Sequence, residues 1–167
     1  MLKSQSRFWR QLVFVIICLL QLGNGSSATS VTSTFTTQVT IAAGCTINSA
    51  VTLNFSSQGV LGANTDQTAT LQIQCTNTTN YNIGLDAGTG TGATVAVRKM
   101  MSGGNAVNYS LYSDSGHTTV WGNTVGTDTV AAAASGASSF TIYGRIPAQA
   151  TPTPGTYTDT VTVTIMY

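Results

Sequence analysis

The sequence predicts an all-β protein built as an antiparallel sandwich, and three observations predict it. Beyond the first 28 residues, no stretch keeps its apolar residues at the spacing of an amphipathic helix. Short runs that alternate apolar and polar residues recur along the chain, separated by Gly, Asn, Ser and Pro. The clearest is the last, Gly155 to Tyr167, reading GTYTDTVTVTIMY. There Tyr157, Asp159, Val161, Val163, Ile165 and Tyr167 share one side, and Thr158, Thr160, Thr162, Thr164 and Met166 share the other. Side chains of a strand point alternately to opposite faces, so this is a half-buried strand. No further strand follows it in the sequence, so in a sandwich its neighbour is expected from elsewhere.

The first 28 residues read as an export signal. Lys3, Arg7 and Arg10 form a basic start, Leu12–Leu20 is an unbroken apolar run, and Ser26-Ser27-Ala28 supplies small residues for cleavage. Nine apolar residues are too few to cross about 30 Å of hydrocarbon, so no membrane span is expected after cleavage. The 139 residues that remain suit one domain with a core. They carry Arg98, Lys99 and Arg145 against five aspartates and no glutamate, a net charge of −2. Nucleic-acid binding, which needs a basic patch, is excluded on that balance. Two cysteines survive cleavage, Cys45 and Cys75. In an oxidising compartment an even pair reads as a disulfide, and closing a loop of that length stabilises by roughly 3–4 kcal/mol in the chain-entropy model.

Along the mature chain, Val31, Phe35, Val39 and Ile41 share one parity, with Ser33 and Thr37 between them. The residues alone leave two readings for 29–41: the domain's own first strand, or a strand meant for another molecule. Cys45 and Ile47 continue that parity, and Val51, Leu53 and Phe55 predict a second short strand. Ser56 to Gln67 reads as a loop. Ala69, Leu71, Ile73 and Cys75 alternate cleanly, which turns Cys75 inward toward Cys45. Tyr81, Ile83 and Leu85 predict the next strand, and the DAGTGTGA run from Asp86 is turn material. Arg98–Met101 and Val107–Leu111 flank a hairpin turn at Ser102–Asn105. Asp114–His117 reads as a loop followed by a packed Trp121, Ala131–Ser139 as a small-residue linker, and Phe140–Ile146 as a strand closed by Pro147.

Catalytic and metal chemistry find little support. The single histidine, His117, has Asp114 nearby, but a triad is defined by geometry and loop residues of these types are common. Gly88 to Gly92, GTGTG, lacks phosphate-loop spacing and a following helix. No cofactor or metal is called for, and no enzyme is expected.

Five segments taken together resemble one family: AAGCTINSAVTLNF, LQIQCTN, YNIGLDAGTGTGATVAVRKM, NYSLYSDSGHTTVWG and YGRIPAQATPTPGTYTDTVTVTIMY. They resemble the spore coat protein U domain, shared with subunits of archaic, Csu-type chaperone–usher pili, and the resemblance covers about residues 30–167. It implies an incomplete immunoglobulin-like sandwich that lacks its last strand and is completed by donor strand exchange. It further implies a periplasmic chaperone, an outer-membrane usher and neighbouring pilus subunits as partners, with passage through the periplasm to an extracellular pilus. On this reading residues 1–28 are the signal peptide, 29–41 the donor segment with anchors Val31, Phe35, Val39 and Ile41, and 42–167 the domain. Cys45 and Cys75 match the family's disulfide positions, and Val161, Val163, Ile165 and Tyr167 the strand a chaperone grips. The implied function is a structural subunit of an adhesive, biofilm-forming pilus. Two alternatives are a spore or cell coat component, and a secreted carbohydrate-binding sandwich with Tyr109, Tyr112 and Trp121 as its stacking face.

Overall fold

The computed structural model describes residues 28–48, 51–133 and 136–167, so the signal peptide lies almost wholly outside the described residues. Residues 28–39 belong to one unit and residues 40–167 to another. Residues 28–43 carry no strand. Val31, Phe35, Val39 and Ile41 are 97, 87, 83 and 79% exposed. The strand-like alternation is thus present in sequence without a ladder, because a strand exists only when its backbone has a partner.

The second unit is all β and wholly antiparallel. Its strands are β1 (Cys45–Ile47), β2 (Thr65–Cys75), β3 (Asn80–Leu85), β4 (Arg98–Ser102), β5 (Asn105–Tyr112), β6 (Val130–Ala133), β7 (Ala137–Ile146) and β8 (Val163–Met166). They form a five-stranded sheet in the order β1-β2-β7-β5-β4 and a three-stranded sheet in the order β6-β3-β8. Alternation does the packing. Leu71, Ile73 and Cys75 of β2, Val107, Tyr109 and Leu111 of β5, and Ile142 and Ile146 of β7 turn inward. Tyr81, Ile83 and Leu85 of β3 face them from the other sheet. Trp121 is 1% exposed, and its indole N–H donates to the Ile83 carbonyl at 2.8 Å, satisfying the one polar group it buries. The Cys45–Cys75 disulfide joins residues directly opposite each other on β1 and β2. It therefore staples a three-residue edge strand to its neighbour.

Several boundaries differ from the sequence expectation. The pairing of β2 begins at Thr65, four residues before Ala69, and runs for ten residue pairs along β7. At its end Arg145 grips Asp66 with two bonds, Nε to Oδ1 at 2.6 Å and Nη2 to Oδ2 at 2.7 Å. The stretch read as a linker holds β6 and the start of β7. Alanine and serine favour strands weakly, and pairing with β3 and β2 overrides that preference. Val51–Phe55 is not a ladder strand, although its side chains alternate between half-buried or buried and exposed. It lies on the inner face of β7, where Gly144 makes room. A Cβ there would stand 2.8 Å from a Leu53 methyl and 3.0 Å from the Phe55 ring.

Arg98, expected at the start of a hairpin strand, stands there and is fully buried. Its guanidinium donates to the carbonyls of Leu85, Asp86, Val95 and Trp121 at 2.7–2.9 Å. One planar cation thus ties the end of β3, the following loop and the Trp121 segment together.

Candidate functional site

A groove of about 1090 Å³ runs through the sandwich between two extended segments that are not part of a complete sheet. Its floor is apolar core, including Leu71, Leu111 and Ile142. One wall is Val51–Gly59 and the other is Thr151–Val163. Tyr157, Val161, Val163 and Ile165 are packed against the core yet only half-buried. The expected parity of the final stretch is therefore present from Tyr157 to Ile165. Tyr157, Val161 and Val163 line the groove, and among the described residues no strand pairs along that side of 157–161. Tyr167 lies beyond β8 and is 63% exposed.

The final stretch belongs to both sheets in turn. Thr158 exchanges two backbone bonds with Met101 at the edge of β4, at 2.8 and 3.1 Å. Val163–Met166 pairs with β3, with Ile165 opposite Ile83 and Val163 opposite Leu85. This placement makes β8 an edge strand, the kind of element that accepts an added strand. No backbone hydrogen bond joins Val51–Phe55 to another described residue. Both walls of the groove thus offer backbone donors and acceptors to a further chain.

The floor is apolar, both walls mix apolar and polar side chains, and one of the polar groups is tied into a cluster against the floor. The Tyr109 hydroxyl donates to Asp159 Oδ2 at 2.7 Å, and Oδ1 of the same carboxylate accepts from the Thr89 amide, the Thr89 hydroxyl and the Thr160 amide at 2.8–3.0 Å. Gly88, at φ 78°, lets the carboxylate approach; any Cβ there would collide with it. Burial, and then the bond to Asp159, push the Tyr109 hydroxyl well above the ordinary tyrosine range. Nearby, burial raises the Asp86 carboxyl. The Thr162 amide, with the Thr162 hydroxyl and Gly88 amide, outweighs that and holds it below the ordinary carboxylate value. Sequence reading had placed Asp159 on the apolar side without explaining it. The signal that would have found its role was the GTG run seventy residues earlier, whose glycine admits it. Asp159→Ala is expected to lower unfolding free energy by about 1–3 kcal/mol, since it strands the buried Tyr109 hydroxyl. Asp159→Asn, which retains an acceptor, should lose less. Urea denaturation of the two variants checks this, and equal losses would contradict it.

The other sequence candidates fall elsewhere. Asp114 spends its carboxylate on the amides of Thr118 and Thr119. It therefore shapes the loop that holds His117 at φ 57°, and is not a triad partner. His117 stacks edge-on against Tyr112 and Tyr143, with its Nε2 3.7 Å from Asp66. The stacking face proposed for a carbohydrate does not exist as such: Tyr109 is 5% and Trp121 1% exposed, both turned into the core. Tyr109 follows the inward parity of β5.

Comparison with known proteins agrees with this geometry. In fold, the chain is similar to a chain in the crystal structure of the CsuC–CsuE chaperone–tip adhesion subunit pre-assembly complex from archaic chaperone–usher Csu pili of Acinetobacter baumannii. The TM-score is 0.57 at 20% identity, over 77% of this chain and 40% of that one. The present chain thus spans about two fifths of that neighbour's length. In sequence, it is 31% identical to Protein U of Myxococcus xanthus over 157 residues, 85% of this chain and 88% of that protein. The Spore Coat Protein U domain model matches residues 31–164, and on that match this chain belongs to the Spore Coat Protein U domain family.

Proposed function

We propose that the protein is a secreted, non-enzymatic subunit of a chaperone–usher surface pilus, and that its subunits join by donor strand exchange. The observation that carries this reading is the half-covered groove beside an edge strand. Val161 and Val163 line that groove and are half-buried, which is the surface an added strand would cover. The added strand comes from residues 29–41 of a neighbouring subunit, with Val31, Phe35, Val39 and Ile41 as anchors. Each large apolar side chain buried stabilises by roughly 1.5–3 kcal/mol, so the four contribute about 6–12 kcal/mol before ordering costs. Until assembly, a periplasmic chaperone occupies the groove and pairs with Val161, Val163, Ile165 and Tyr167. An outer-membrane usher then exchanges the chaperone strand for the donor. Residues 1–28 direct export, and the product is an extracellular fibre serving adhesion and biofilm formation. The fold likeness to a chain of a chaperone–subunit complex supports the chaperone step.

The experiment is co-expression in a periplasm with the cognate chaperone and usher. Recovery of a chaperone–subunit pair, and of fibres at the cell surface once the usher is present, is the expected result. A monomer that is recovered alone in good yield and never associates would count against the reading.

The family description favours a second reading, in which the same joint builds a spore or cell coat. Immunogold imaging separates the two: thin surface fibres for the pilus, a continuous layer for the coat.

A further inference from the structure

The groove carries a marker that fixes how an incoming strand lies in it. Thr158 directs its amide and carbonyl to Met101, and Thr162 exchanges bonds with Asp86, its carbonyl accepting from the Asp86 amide and its own amide donating to the Asp86 carboxylate. Backbone groups of an extended segment alternate sides, so Tyr157, Asp159 and Val161 point theirs the other way. None of the three is paired with the backbone of another described residue. Their side chains all line the groove. Among them only Asp159 is polar. Its Oδ1 accepts from three donors, while Oδ2 accepts from Tyr109 alone among the described residues, so this groove-lining carboxylate keeps acceptor capacity for one more donor. An apolar side chain laid over that carboxylate would cut it off from water with its remaining acceptor site unfilled.

Residues 29–41 carry the complementary pattern. Their inward set is Val31, Ser33, Phe35, Thr37, Val39 and Ile41: four anchors and two hydroxyls. We propose that the Tyr109–Asp159 pair sets the register of the joint. The segment arriving from a second copy runs antiparallel to residues 157–165 and seats the Thr37 hydroxyl on Asp159. Phe35 then lies beside Val161, Ser33 beside Val163, Val31 beside Ile165 and Val39 beside Tyr157. The antiparallel direction follows the rest of the fold, where every ladder is antiparallel, and that ladder is the slightly more stable one. Seating Ser33 on Asp159 in the same direction would place the phenyl ring of Phe35 at the rim by Tyr157. It would also leave Val163 facing Thr29, so the half-buried apolar side of the final stretch would stay uncovered. This inference rests on the polymer reading and deepens it by naming the partner segment's alignment.

The test uses assembled, full-length mature chain with paired cysteines at exposed threonines. In the proposed register Thr36 lies opposite Thr160; in a parallel arrangement that seats Ser33 on Asp159 it lies opposite Thr162. A Thr36→Cys/Thr160→Cys chain should give a covalent ladder on a non-reducing gel after mild oxidation, and a Thr36→Cys/Thr162→Cys chain should not. Independently, Thr37→Val should weaken joining on the order of tenfold to a hundredfold, the effect of losing a hydrogen bond to a charged acceptor. Ser33→Val should leave joining unchanged or tighter. A polymer that cross-links through Thr162, or that is weakened more by Ser33→Val than by Thr37→Val, overturns the register and leaves the polymer reading standing. A chain that never polymerises overturns both.

Discussion

Phe35→Asp is expected to abolish subunit joining and to leave the lone subunit as stable as before. The ring is 87% exposed in the isolated chain, so its loss removes almost no packing. Surface changes of this kind stay within about 0.5 kcal/mol. In the joint the ring would be buried at the middle of the donor segment. Its removal forfeits roughly 1.5–3 kcal/mol, and an aspartate there carries an unpaired charge into an apolar groove, at a cost of several kcal/mol more. The sum is at least about 5 kcal/mol, or more than a thousandfold in the association constant. Sedimentation should show fibres for the natural chain and monomer for the variant, with matching urea transitions for the two monomers. Chaperone capture should survive, because the chaperone brings its own strand to the groove. A variant that still polymerises, or one that unfolds as a monomer, contradicts the assignment of residues 29–41.

Much of the fold was legible because alternation survives wherever one face is buried. Leu71, Ile73 and Cys75, then Val107, Tyr109 and Leu111, stand inward as their parity demands. The disulfide was legible only in part: Cys75 continues an inward set, but the set of Cys45 does not turn inward, Ile41 and Ile47 being 79 and 43% exposed, and the two cysteines meet because β1 pairs with the end of β2. What sequence could not supply was pairing. Val51–Phe55 alternates as a strand does and has no ladder, whereas Val130–Ala133, rich in alanine, has one with β3. Whether a backbone finds a neighbour is a property of the assembled sheets, and local propensity does not contain it. Arg98 was invisible for a related reason. Its four acceptors are the carbonyls of Leu85, Asp86, Val95 and Trp121, and main-chain oxygens leave no trace in a sequence. Asp159 sat in plain view on the apolar side of the last stretch. Only the positions of Thr89 and Tyr109 turn that apparent break in the pattern into the groove's polar mark.

The most direct measurement moves the segment instead of breaking it. Residues 29–41 are removed from the N-terminus and joined after Tyr167 through a short flexible linker, so that they reach the groove of their own chain. In the antiparallel direction Val31 falls near Ile165, and a tight connection spans that distance. The donor then acts at high effective concentration, and its gain of about 5 kcal/mol or more appears as stability of the monomer. For a domain of this size that corresponds to a rise in melting temperature on the order of 15 °C. The account predicts a strictly monomeric, strongly stabilised chain that no longer needs a chaperone, and predicts that adding Phe35→Asp to it erases the gain. A transplanted chain that melts where the natural monomer does, and still associates with its fellows, would show that the groove does not take this segment.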